Sequence, residues 1–72
     1  MSSSDEIAWL QGYMPIVVRD GGITPFERSF CASMIRHARR GRVPSARQVA
    51  LMRRIVMEFR ERVFHEIVER RG

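Results

Sequence analysis

Cys31, His37 and His65 are the side chains best suited to nucleophilic, proton-transfer or soft-metal chemistry. Their spacing supports none of the three. On a helix, the six residues from Cys31 to His37 turn the two about 120° out of line. A nucleophile and its base must instead be within hydrogen-bond reach. Nor do any two of the three have the spacing of zinc ligands. Cys31 reads as a small apolar core residue, the usual role of a free cysteine. His37 and His65 read as surface or helix-terminal residues. The glutamates near the C-terminus alternate with arginines and read as ion pairs, not as an acid–base couple. Gly21-Gly22 is too short to cradle a phosphate. The expectation is a non-enzymatic protein with no cofactor and no metal.

The other residues with chemical reach are the arginines. All 13 basic side chains are arginine, against 8 acids, for a net charge of +5. Residues 28–57 carry eight arginines and no acid, a local charge of +8. Residues 1–27 sum to −3, and residues 58–72 cancel with four Glu and four Arg. A GC-rich genome accounts for arginine over lysine but not for the clustering. Arginine grips phosphate or carboxylate through two parallel hydrogen bonds. The candidate anion-binding, nucleic-acid-binding set is therefore Arg36, Arg39, Arg40, Arg42, Arg47, Arg53 and Arg54. Such a set follows a phosphate backbone and releases counterions. An acidic protein surface is the alternative partner, with Trp9, Tyr13, Phe64 and Val68 adding apolar contacts. A solvated face that keeps the chain soluble is the third reading, ranked below nucleic acid and an acidic protein.

These residues must be held by one small domain spanning 1–72, frayed at 1–4 and 71–72. At this length a chain buries only about 60% of its unfolded surface. A lone cysteine excludes an internal disulfide, so self-association is the expected support, most simply a homodimer. No run approaches the ~20 apolar residues of a membrane span. The start is acidic, the wrong charge for a secretory signal. A cytoplasmic protein is expected, in keeping with a free thiol.

The fold class expected is all-α. Ser4 can cap a short helix of about two turns, with Asp5 and Glu6 in its first turn. Gly12 weakens that helix, and Pro15 disfavours a helical Met14. Residues 15–23 read as an extended connector over the core. Thr24-Pro25-Phe26-Glu27 combines an N-cap, a proline at the first helical position and a capping box. It predicts a helix over about 25–40 that stops at Gly41. Phe26, Phe30, Met34 and Ala38, with Cys31 and Ile35, form its apolar face. Ser45 and Gln48 make a second capping box, opening a helix over about 46–70. Its apolar stripe is Val49, Met52, Ile55, Val56, Phe59, Val63 and Ile67. Glu58–Arg62 and Glu66–Arg70 are spaced as ion pairs. Leu51, Phe64 and Val68 lie off the stripe and offer a second apolar surface. The two long helices would form a hairpin, with the last overhanging the other.

Ser45-Ala46-Arg47-Gln48-Val49-Ala50 has the form of a recognition-helix start, because Arg and Gln read guanine and adenine edges. The helix before it is long for a helix-turn-helix, and the helix it opens runs far past a groove. An ordinary capped helix is the preferred reading. Phe26, Phe30 and Phe59 sit at core spacing, which removes them as stacking platforms for single strands.

Residues 26–34 (Phe-Glu-Arg-Ser-Phe-Cys-Ala-Ser-Met) and 40–48 (Arg-Gly-Arg-Val-Pro-Ser-Ala-Arg-Gln) resemble small helical proteins carried by bacteriophages and prophages. The resemblance covers about residues 24–60. It implies an accessory role in phage or mobile-element biology, through nucleic acid or a host protein. The matched pattern contains no chemistry, so it carries over no functional residue.

Overall fold

In the computed structural model, residues 3–71 are described, with side chains as far as Glu69. Three helices make the fold: α1 Ser3–Val17, α2 Pro25–Arg39 and α3 Ala46–Arg71. There is no strand among the described residues. The all-α expectation holds in that form, but α1 departs from its expected size. It has 15 residues, as many as α2, where about two turns were expected. Pro15 lies inside it, and the Val18 N–H still reaches the Met14 carbonyl at 3.0 Å.

Tertiary packing explains that difference. Leu10, Met14 and Val17 fall at helical spacing on one face and are all buried. Breaking the helix at Met14 would turn two of the three out of the core. Proline removes only the bond that its own N–H would have made to Gln11, one turn before the helix ends. Ser4, expected as the cap, is itself helical, because α1 begins at Ser3. Of the expected frayed ends, residues 1, 2 and 72 fall outside the described residues, and Ser3, Ser4 and Arg71 are helical instead. The connector shrinks to residues 18–24, between α1 and α2. Ile23 is its buried anchor, whereas Ile16, in the last turn of α1, is 55% exposed.

Both local start signals form as read. Thr24 Oγ1 accepts from the Glu27 N–H at 3.1 Å, and the Thr24 N–H donates to Glu27 Oε1 at 2.8 Å. Ser45 and Gln48 repeat the exchange at 3.2 and 2.9 Å. At the end of α2 the Gly41 N–H donates to Ala38 and the Arg42 N–H to His37, at 3.1 and 2.9 Å. This is a Schellman closure, and it requires the left-handed conformation that Gly41 adopts at φ 72°.

The core draws on every helix. Leu10, Met14 and Val17 meet Cys31 and Met34 of α2, Met52, Ile55 and Val56 of α3, and Ile23. α1 packs against both other helices and is their main point of contact. The expected hairpin, in which α2 and α3 pair under a short leading helix, is thereby corrected. The leading helix lies between them: Leu10, Met14 and Val17 form the shared line, and Trp9 and Tyr13 beside it widen the contact with α3.

Two stripes shift accordingly. On α2, Phe26 is 65% exposed and Ala38 is exposed, so the face centres on Cys31 and Met34, flanked by half-buried Phe30 and Ile35. On α3, Met52, Ile55 and Val56 are buried and Val49 and Phe59 half-buried, but Val63 and Ile67 are open. α3 spans about 39 Å at 1.5 Å per residue, outrunning its neighbours by several turns.

Candidate anion-binding corner

The end of α2, the Gly41 turn and the start of α3 form one corner. Arg36 and Arg39 occupy the last turn of α2, where positive charge complements the helix dipole. Arg40 is the cap residue, Arg42 follows Gly41, and Arg47 stands in the first turn of α3. All five are exposed. Among the described residues, none of their side chains has a hydrogen bond or an acid within ion-pair distance. The Schellman closure fixes the backbone that carries Arg40 and Arg42, and the second capping box fixes the entry to Arg47.

Arg53 and Arg54, expected in the same set, do not stand free. Both carboxylate oxygens of Glu6 in α1 engage one edge of the Arg53 guanidinium: Nη2 donates to Oε1, and Nε donates to Oε2 at 3.3 Å. The Arg53 hydrogen bond holds the Glu6 carboxyl below its ordinary range, and the same bond raises Arg53. Arg54 lies 3.9 Å from Glu58, one turn on. The free set is therefore smaller than the sequence suggested. Glu6 is the residue that sequence reasoning missed. It acts 47 positions away from its partner, and no local pattern announces it.

Two more arginines are structural. Arg28 donates to the carbonyls of Val18 and Asp20, the Asp20 contact at 3.1 Å, and ties the connector to α2. Arg62 donates to Asp20 Oδ2 at 2.5 Å and ties the same connector to α3. The expected Glu58–Arg62 pair does not form, because Arg62 turns to the part-buried Asp20 instead. The expected Glu66–Arg70 pair involves a side chain outside the described residues. Asp20 is held below its ordinary range, chiefly by the Arg62 bond and also by the Gly22 N–H, with partial burial opposing.

The four residues expected for the alternative partner divide in two. Trp9 and Tyr13 pack half-buried against the core. Their rings meet edge-on at 4.9 Å, Tyr13 meets Phe59 at 6.3 Å, and the Arg60 guanidinium sits 5.2 Å over Trp9. Both are packing residues first, because α1 is long enough to bring them against α3, and Tyr13 still lines the surface beside Phe59 and Phe64. Phe64 and Val68 are 64% and 48% exposed.

Cys31 is fully buried, and burial pushes its thiol up, away from the reactive thiolate. Among the described residues, no three His, Cys, Asp or Glu side chains converge as metal ligands. No described helix is long and apolar enough to cross a membrane. No protein family, curated protein or solved structure matches this chain. The reading of the corner therefore rests on its own residues.

Proposed function

We propose that this chain is a small non-enzymatic accessory or regulatory protein that binds the phosphate backbone of nucleic acid at the α2–α3 corner. The observation that carries this reading is the set of five exposed, unpaired arginines, Arg36, Arg39, Arg40, Arg42 and Arg47. Elsewhere among the described residues Arg28, Arg53, Arg54, Arg60 and Arg62 are spent on acids, carbonyls and a ring, and Arg19, away from the corner, is also left open. At the corner all five are open. Five separate charges spread around one corner suit a repeating polyanion better than a single carboxylate. The Gly41 turn joins the two helix ends that present these arginines, and α1, packed against both helices, holds those ends in place. Readout of base identity forms no part of the reading, since α3 opens as an ordinary capped helix and runs far past a groove. The resemblance of residues 24–60 to phage-borne proteins supports a place in mobile-element biology. The cytoplasm is the matching compartment, where Cys31 remains a thiol.

The test is a titration of labelled duplex and single-stranded DNA at several salt concentrations. Five phosphate contacts give a log–log slope of about −4.5 on duplex and about −3.5 on single strands. Replacing Arg40, Arg42 and Arg47 together with alanine leaves two contacts and a duplex slope of about −2. An absence of binding at low salt, or a slope unmoved by the triple replacement, overturns the proposal. Capture of an acidic protein that survives nuclease treatment would favour the alternative docking role.

A further inference from the structure

The second half of α3 carries apolar side chains on a face that the described residues leave uncovered. Met57 is 48% exposed, Val63 37%, Phe64 64%, Ile67 51% and Val68 48%. Ala50, Met57 and Phe64 lie seven apart, so they share one line along the helix, turned away from the buried line of Met52, Ile55 and Val56. Two adjoining hollows mark this line. Met57, Arg60, Glu61 and Phe64, with His65 at the edge, line one. Arg60, Val63, Phe64 and Ile67, with Tyr13 and Phe59, line the other. Each contains residues at i, i+3, i+4 and i+7, the four-residue hole into which a knob from a facing helix fits.

We infer that the occupant is a second copy of this chain, packed antiparallel along α3 about a two-fold axis between Arg60 and Glu61. In that register Met57 of one copy faces Phe64 of the other, twice over. Arg60 faces Glu61 of the partner, also twice, which places opposite charges across the axis. Charge selects this half of the helix as well. Residues 58–72 are neutral, whereas residues 28–57 carry +8 and repel a copy. The parallel alternative sets Arg60 on Arg60 and Glu61 on Glu61, and like charges oppose it. The antiparallel register puts the two arginine corners at opposite ends of the dimer, roughly 44 Å apart along the helix axis. A bivalent grip on one polyanion then follows without any new contact.

Sedimentation equilibrium between about 10 and 100 μM should give twice the 8.4 kDa chain mass. Phe64→Glu should return the monomer with its helical circular dichroism retained, because Phe64 lies outside the core, and its melting temperature should no longer rise with chain concentration as that of the wild type does. Glu61→Arg should weaken the dimer at least tenfold, and adding Arg60→Glu should restore it. Register is read by oxidation. A mixture of Met57→Cys and Phe64→Cys chains should form a mixed disulfide, identified by its mass, and neither variant alone should cross-link. Self-cross-linking of each variant alone would establish the parallel pair and overturn the register. A wild-type chain that stays at 8.4 kDa throughout the range overturns the proposal, and the face then belongs to a different protein.

Discussion

Asp20→Asn tests whether the connector is clamped as the structure shows. The carboxylate accepts Arg62 Nη2 at 2.5 Å and the Gly22 N–H, and its side chain is 26% exposed against 37% for Arg62. A fully exposed ion pair contributes about 0.2–1 kcal/mol, and a hydrogen bond to a charged group about 1.5–3. Exposure of the arginine pulls the value towards the lower range, so a loss of about 1.5 kcal/mol is expected. In a domain of this size that lowers the melting temperature by roughly 6–12 °C. Arg62→Met should cost less than Asp20→Asn. It keeps the apolar stem and removes Arg62 Nε, a buried donor with no partner. The two variants and their combination close a double-mutant cycle, measured by thermal and urea denaturation followed at 222 nm. A coupling of about 1 kcal/mol is expected, and one below about 0.3 would refute the clamp. The pH dependence supplies an independent sign. Asp20 is depressed in the folded chain, so its contribution is complete above the unfolded-chain value of about 3.9. It is lost as pH falls through the lower folded value. Wild type should therefore lose its advantage over Asp20→Asn on acidification below about pH 4 and keep it at neutrality.

Three further outcomes follow from named contacts. Glu6→Gln should release Arg53 to the corner, steepening the duplex salt slope by about 0.9 and tightening binding at low salt; an unchanged slope would mean that Arg53 does not reach the polyanion. Glycine-to-alanine changes should have opposite signs at two sites. Gly12 is exposed within α1 with open space where a Cβ would stand, so Gly12→Ala should stabilise by about 0.5–1 kcal/mol; Gly41 also has open space but holds φ 72°, so Gly41→Ala should cost about 1–2. Met52→Ala should cost about 2–5 kcal/mol, because Met52 is fully buried, whereas Phe64→Ala should move the monomer's stability by less than about 0.5; equal effects in denaturant titrations would place the core wrongly.

What could be read in the sequence was what lies within one helical turn. Thr24 with Glu27 and Ser45 with Gln48 declare their helices because each signal completes itself three residues on. Gly41 ends α2 for the same reason. Pro15 misled because its local preference is visible, while the burial that outweighs it depends on residues of α2 and α3. The candidate site divides on the same line. Five of its arginines were legible as a cluster at a turn. The pairing of Arg53 with Glu6 and of Arg62 with Asp20 spans more than 40 residues, and nothing in local spacing encodes it. The overhang of α3 was legible as excess length, but its two hollows needed the helix to exist.

The position of α1 has a consequence for how this chain fails. Its contact network is a star, with α1 as the hub and α2 and α3 as arms that depend on it. Loss of one arm would leave an interface intact, but loss of the hub dissolves both at once. Substitutions in Leu10, Met14 or Val17 should therefore act on the whole transition, with no two-helix remnant to populate an intermediate. The resistance of α2 and α3 to proteolysis is in effect set by residues that belong to neither.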